Sequence, residues 1–357
     1  LAKRYKDELI KEIPDIDAIW GVGEEDKIIE YCSKMRGSRV RGQGSEEKIE
    51  TSQLPAVPSS YAYIKIAEGC DRGCTFCVIP SIRGPYTSLE PEKILKYAEE
   101  HVQAGIKELI IIAQDIGSYG INEGYNLSSL LDDLSSISGD FWIRLLYLYP
   151  TALSEDLISA IASNEKVCNY IDVPLQHSED KILRAMGRSG SREAYKNKIR
   201  MIREMIPDIT LRTTFITGFP GETEDDFKGL RRFIEEIRFD RLGIFEYSKE
   251  EGTPASRMKG GVAKKIAKMR RDELMRIQSH ISLEKNKLII GKRFKALIDE
   301  VDGDIAGARL YSQAPEIDGV TLIAGCRMNH TPVLSAGSFV DIEITDAYDY
   351  DLKARAV

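Results

Sequence analysis

The sequence predicts an α/β protein built on a parallel sheet, followed by a small all-β barrel and preceded by the remnant of another α/β domain. Three observations carry this reading. Six apolar, β-branched or aromatic runs, at 61–67, 108–113, 141–149, 169–174, 209–217 and 241–247, alternate with helical stretches. Beyond about residue 287 the pattern changes to short alternating runs with turn signals at Asp302-Gly303, Asp318-Gly319 and Ala336-Gly337. Before residue 53 the chain holds a few elements and then a polar stretch at 37–53.

The elements follow in order. Residues 1–52 read as a helix, a short strand around Ala18–Val22, a second helix and the Gly/Ser/Glu-rich linker. Residues 53–286 form the central domain, whose helices are expected at Glu90–Ala104, Leu127–Ile137, Glu155–Ala162, Arg192–Met205 and Thr223–Ile237. Strands alternating with helices imply parallel pairing with right-handed crossovers. Near-continuous apolar strands such as Glu108-Leu109-Ile110-Ile111-Ile112-Ala113 are expected where both faces of a sheet are covered. Six units are too few for the eight of a closed (β/α) barrel. Residues 264–287 read as a long amphipathic helix, with Ile266, Met269, Leu274, Ile277 and Ile281 near helical spacing. Residues 287–357 read as the small barrel. No internal repeat or low-complexity segment is present.

Chemistry is concentrated in the run Gly69-Cys70-Asp71-Arg72-Gly73-Cys74-Thr75-Phe76-Cys77. It follows the strand-like segment 61–67, so it is a loop at a strand end. Three thiolates so close together can hold three corners of an iron–sulfur cube, which would leave the fourth iron free for a small molecule. A structural zinc site wants four protein ligands, and the nearest further candidate, His101, lies well beyond the loop. A disulfide framework needs an oxidising compartment and a small, Cys-dense domain, whereas this chain has six cysteines in 357 residues. Cys32, Cys168 and Cys326 are scattered and read as small apolar residues.

Composition narrows the setting. A net charge of −7 and a pI of about 5.4 give no global basic footprint for nucleic acid. No apolar run approaches the ~20 residues of a membrane span, and no secretory signal opens the chain. A reduced, cytoplasmic setting suits an oxygen-sensitive cluster. Leu1 in place of Met predicts that the chain begins inside a longer protein.

The C-x₃-C-x₂-C spacing with an aromatic residue before the last Cys resembles the signature of the radical S-adenosylmethionine (SAM) enzymes. That resemblance implies an open six-unit (β/α) partial barrel and a 4Fe–4S cluster on Cys70, Cys74 and Cys77. The open iron would chelate the amino and carboxylate groups of SAM, and an electron from the cluster would cleave SAM to methionine and a 5′-deoxyadenosyl radical. It also implies an electron donor such as flavodoxin or ferredoxin. The cofactor carries the difficult chemistry, while the protein supplies position and exclusion of water.

Functional residues of a parallel α/β scaffold gather at the carboxyl ends of strands. The second strand ends in Ala113-Gln114-Asp115, the third in Tyr147-Leu148-Tyr149-Pro150 and the fourth in Val173-Pro174-Leu175-Gln176-His177. The fifth leads into Gly218-Phe219-Pro220-Gly221-Glu222, and the sixth carries Phe245-Glu246-Tyr247-Ser248. By resemblance Phe76 lies near the adenine, and SAM contacts Gln114, Gln176, Arg212, Thr214 and the Phe245 region. Other readings stand beside these. Phe76 suits ordinary packing, Thr213 and Thr214 are strand formers, and Arg212 suits a buried ion pair with Asp172. His177 reads first as a structural hydrogen-bonding residue and second as one facing substrate. Thr223 suits a helix N-cap. A carboxylate rather than Lys follows Gly221, so this turn is a poor phosphate loop.

The radical SAM core, the C-terminal barrel resembling a TRAM domain and the N-terminal remnant together resemble the methylthiotransferases. One branch modifies an adenosine of tRNA, and another modifies the β-carbon of an aspartate in small-subunit ribosomal protein S-twelve. Cys70–Cys77, Ile79-Pro80-Ser81-Ile82-Arg83-Gly84, Pro174-Leu175-Gln176-His177 and Ala314-Pro315-Glu316-Ile317-Asp318-Gly319 resemble the second branch, the last motif most discriminatingly. Residues 287–357 carry eight Lys/Arg against eleven Asp/Glu. An acidic module suits a basic ribosomal protein better than a phosphate backbone. The basic stretch Lys264–Arg276 keeps the tRNA branch as the alternative. The family also carries three N-terminal cysteines for a second cluster, and this chain matches from just after the third. The resemblance therefore implies a second cluster only in the complete protein, and a chain that cleaves SAM without completing methylthiolation.

Overall fold

The computed structural model describes residues 2–21, 24–39, 60–120, 124–324 and 334–357. Cys326 and most of the polar stretch 37–53 lie outside the described residues, as does the expected boundary at 52/53. The N-terminal part holds α1 (Ala2–Glu12) and α2 (Glu25–Arg39). The strand expected around Ala18–Val22 does not form over its described part, 18–21. An extended segment becomes a strand only by pairing, and none of the described strands pairs with it.

The central domain begins with β1 (Tyr61–Lys65) and the short β2 (Ala67–Glu68), then α3 (Ile79–Arg83) and β3 (Thr87–Ser88). Five further units follow: α4 (Pro91–Gln103) and β4 (Glu108–Ile112); α5 (Leu127–Ser136) and β5 (Trp142–Leu145); α6 (Glu155–Ser163) and β6 (Val167–Asp172). After α7 (Asp180–Ala185) and α8 (Arg192–Met205) come β7 (Thr210–Thr217), α9 (Glu224–Ile237) and β8 (Arg241–Glu246). The six main strands form one parallel sheet in the order β1-β4-β5-β6-β7-β8, open at both edges. This is the predicted six-unit partial barrel.

Local chemistry sets the boundaries. Thr223 caps α9 in a capping box with Asp226, as its position suggested. Ser154 and Ser191 accept from the first turns of α6 and α8. The run 141–149 pairs only over Trp142–Leu145, because Tyr147 adopts φ 66° and breaks the ladder. Along β7, Leu211, Thr213 and Phe215 are buried against the helical layer, while Arg212, Thr214 and Ile216 take the alternate face.

The long helix α10 (Lys264–Lys287) has the predicted span. Its buried stripe is Ala267, Arg270, Leu274, Gln278 and Ile281, whereas Ile266 and Met269 are exposed. Gln278 donates to the Phe239 carbonyl at 2.9 Å, which places a polar residue where apolar spacing alone would not.

The C-terminal strands are β9 (Arg293–Asp302), β10 (Ile305–Leu310), β11 (Thr321–Ala324), β12 (Phe339–Ala347) and β13 (Leu352–Ala356). They close into a barrel in the order β10-β11-β13-β12-β9 around Ala296, Ile298, Ala308, Ile323, Ile342 and Ile344. This barrel seals the amino-terminal end of the sheet interior. Leu297 and Ala314 pack against Ile110, Trp142, Leu146 and Tyr170. Arg144 and Glu108, both fully buried, pair at 2.5 Å, and Arg309 of β10 pairs with the same Glu108. Arg309 also reaches Asp299 at 2.6 Å, and Arg144 donates to the Tyr311 carbonyl at 2.6 Å. Two cations thus share one buried carboxylate across the domain junction; Arg309 also reaches a second acid and Arg144 a carbonyl, while Arg144 Nη2 is buried without a hydrogen-bond partner.

Candidate iron–sulfur and SAM site

The cysteine loop leaves the sheet after β2 and is fixed from both sides. Gly69 has φ 79°, and a Cβ there would sit 2.0 Å from the Pro85 carbonyl oxygen, so only glycine lets the loop begin. The Thr75 amide donates to the Met186 carbonyl at 2.9 Å and its hydroxyl to the Ala185 carbonyl at 2.8 Å. The Ala255 amide donates back to the Thr75 carbonyl at 2.8 Å. A loop bonded to two separate chain segments, the end of α7 and the Ala255 turn, is held in place before any ligand arrives.

Cys70, Cys74 and Cys77 line one cavity of about 350 Å³ at the carboxyl ends of the strands. All three are half-buried free thiols. Burial pushes the Cys70 and Cys77 thiols above their ordinary range, opposed by amide hydrogen bonds from Arg72 and Ile79 respectively. Such thiols become thiolates when metal displaces the proton. Among the described residues no three His, Cys, Asp or Glu side chains converge on a single-ion position. A cluster places each thiolate on a different iron, so its ligands need not converge on one point.

The same cavity is walled by Phe76, Gln114, Tyr147, Tyr149, Pro174, Gln176 and Arg188. Phe76 packs edge-on to Phe219 at 6.4 Å between ring centres, so its packing role is present. The Gln114 Oε1 is buried without a hydrogen-bond partner, a vacancy a polar ligand would fill. Gln176 takes φ 72° and bridges β7, donating to the Thr214 carbonyl and accepting from the Ile216 amide, each at 2.8 Å. An apolar-walled cavity with unpartnered polar atoms and three thiols fits a cluster carrying SAM.

Arg212, Thr214 and Phe245 do not line this cavity. They cluster instead around Gly243 on the neighbouring inner face of β7 and β8. Arg212 pairs with the buried Asp172 at 2.8 Å, the ion pair that competed with its SAM-binding reading, and lies 3.8 Å from Asp318. Burial raises the Asp172 carboxyl, with Arg212 pulling it back down. Thr213 is a buried strand residue whose hydroxyl donates to the Val173 carbonyl at 2.8 Å.

His177 is fully buried outside the cavity. Its Nδ1 accepts from the Glu179 amide at 3.0 Å and its Nε2 faces Glu222 at 3.6 Å. The structural reading of His177 is the one the packing supports. Cys32 is exposed on α2, while Cys168 is buried and its thiol is pushed up to about 12, chiefly by burial.

Sequence reasoning passed over two arginines. Arg72 and Arg188 stack on opposite sides of this region against the Tyr149 ring, each 4.1 Å from its centre. Arg72 lies within the cysteine run and pairs with Asp115 at 2.8 Å. Arg188 comes from the turn between α7 and α8, where nothing in the local sequence signals a site. A wider groove of about 530 Å³ between α9 and α10 contains no cysteine. Several of its charges pair with each other, as in Arg231–Glu273 at 3.2 Å and Arg238 with Glu284 at 2.5 Å.

Comparison with known proteins agrees with this geometry. Residues 64–234 match the radical SAM superfamily and residues 290–357 the TRAM domain. The chain is 54% identical to ribosomal protein uS12 methylthiotransferase RimO of Thermodesulfovibrio yellowstonii, over 100% of this chain and 82% of that protein. It is 44% identical to the RimO of Thermoanaerobacter sp., over 99% of this chain and 81% of that one. The chain belongs to the RimO family of radical SAM methylthiotransferases.

Proposed function

We propose that this chain carries one catalytic 4Fe–4S cluster on Cys70, Cys74 and Cys77, with an open iron that binds SAM, and that it acts on an aspartate of ribosomal protein uS12. The observation that carries the reading is the convergence of all three half-buried thiols on the cavity that also holds the unpartnered Gln114 oxygen. Cys70, Cys74 and Cys77 would hold the cluster, and with SAM it would supply the radical chemistry needed to activate a C–H bond at the aspartate β-carbon. The chain's own residues do the rest. The loop bonds through Thr75 hold the thiols, Phe76 and Gln176 wall the SAM side, and Pro174 and Tyr149 exclude water.

In this proposal Thr214 and Phe245 border the chamber beside the SAM cavity, while Arg212, held by Asp172 and 3.8 Å from Asp318, lies deeper and supports that wall. The domains are taken as 1–52, 53–286 and 287–357. The second cluster implied by the family has no ligand set among the described residues, since Cys32 is exposed on α2 and Cys168 is buried beneath the sheet. It is assigned to the complete protein only. A reducing cytoplasmic setting and a flavodoxin- or ferredoxin-type donor suit this chemistry. Among the described residues no helix is long and apolar enough to cross a membrane.

The substrate reading rests on charge as well as kinship. Within the motif Ala314–Gly319 the first two residues are buried, the exposed Glu316 accepts from Tyr61 at 2.6 Å, and Asp318 accepts from Tyr170 at 2.7 Å. Carboxylates at the floor and an acidic outer barrel suit a basic protein loop and repel phosphates. The test is 5′-deoxyadenosine formation by anaerobically reconstituted chain with SAM and reductant, alone, with uS12 and with unmodified tRNA. Stimulation by uS12 alone is expected; stimulation by tRNA alone would overturn the substrate assignment.

A further inference from the structure

Each of the three thiols receives one N–H. The Arg72 amide donates to Cys70 Sγ at 3.4 Å, and the Ile79 amide donates to Cys77. Cys74 differs, because its donor is a side chain: Arg188 Nη1, at 3.6 Å and from 114 residues further along the chain. Arg188 is nine-tenths buried, and its other contacts are uncharged. Its Nη2 donates to the Pro174 carbonyl, its plane lies on Tyr149, and Tyr195 beside it is a phenol raised to about 12, chiefly by burial. Its Nε has no hydrogen-bond partner. Arg72, on the other face of the same ring, is neutralised by Asp115. Among the described residues Arg188 pairs with no carboxylate, so its charge is directed at the cysteine site.

We propose that Arg188 sets the reduction potential of the cluster, a role that rests on the assignment of that cluster to Cys70, Cys74 and Cys77. Reduction adds one negative charge to the cluster, and hydrogen bonds and nearby cations at the sulfurs favour the more negative form. A guanidinium hydrogen-bonded to a ligand sulfur inside a partly dehydrated cavity interacts strongly with that added charge. The two backbone donors belong to the loop itself. Arg188 is the side-chain donor, so it is where the sequence can adjust the potential without altering the ligands. It is a positioning residue and takes no part in bond breaking.

The test is a potentiometric titration of the reconstituted full chain, followed by electron paramagnetic resonance without SAM, comparing wild type with R188Q and R188K. Iron and sulfide content are measured on each sample. R188Q is expected to keep its iron and to show, at a fixed ambient potential, about a tenfold lower ratio of reduced to oxidised cluster, which is about 59 mV for one electron. R188K keeps the charge without the fixed fork and is expected to fall between the two. Should R188Q fail to load iron, R188K carries the same test, and a wild-type potential in it overturns the proposal. An iron-replete R188Q with wild-type potential also overturns it, whether or not its affinity for SAM changes. A purely structural role would move melting temperature and iron content but not potential. Wild-type protein that binds no cluster would refute the cluster assignment itself, a separate outcome.

Discussion

Tyr170, on β6, donates its hydroxyl to Asp318 of the C-terminal barrel at 2.7 Å. Asp318 also accepts from the Ala314 amide at 2.9 Å and lies 3.8 Å from Arg212. Arg212 in turn holds Asp172, whose second oxygen accepts from the Tyr147 amide at 3.2 Å, on the wall of the cysteine cavity. A residue of the TRAM barrel is thereby linked by direct contacts to the site where radical chemistry is placed.

Replacing Asp318 with Ala is expected to leave the Tyr170 hydroxyl buried and unpaired, at a cost of about 1–3 kcal/mol. Urea denaturation measures this cost. Iron content should stay at the wild-type level, because no cysteine-loop bond involves Asp318.

Glu108 answers two buried guanidiniums, Arg144 and Arg309. Removing one partner of a buried ion pair costs about 3–5 kcal/mol because the other charge stays behind. E108A should therefore lower the melting temperature more than D318A does. Calorimetry should also show separate transitions for sheet and barrel where wild type shows one.

Gly187 has φ 66°, and a Cβ there would stand 2.4 Å from the Gly73 carbonyl oxygen in the cysteine loop. G187A must push that loop, since the contact is to backbone. The expected outcome is loss of at least half the iron bound on reconstitution, with far-ultraviolet circular dichroism unchanged.

The Gln114 side chain carries an unpartnered buried oxygen into the cavity. Q114L removes that desolvated atom, so the unliganded protein should be at least as stable as wild type, while SAM affinity falls about tenfold, equivalent to one charge-free hydrogen bond. Thermal melting and equilibrium binding of SAM together check this pair of opposite effects.

Much of the architecture was legible because period and punctuation agreed with it. The helix Arg192–Met205 and the helix Lys264–Lys287 have the bounds their patterns suggested. The three cysteines were legible because a short loop fixes their proximity. What escaped was contact at long range. Arg188 reaches Cys74 only after α7 and α8 fold back over the loop. The motif Ala314–Gly319 marked the family, yet its physical task, plugging the sheet interior, depends on a barrel docking that no local pattern encodes. Arg212 presented two readings, and the packing supplies its partner, Asp172.

The most direct test of the account is the electron paramagnetic resonance spectrum of the reduced, reconstituted chain before and after SAM is added, with iron counted on the same sample. Four irons per chain and a spectrum altered by SAM are predicted, with both lost in the Cys70→Ala, Cys74→Ala and Cys77→Ala proteins. A spectrum indifferent to SAM, or iron retained after any one of these replacements, would contradict a cluster held by these three thiols with one iron open.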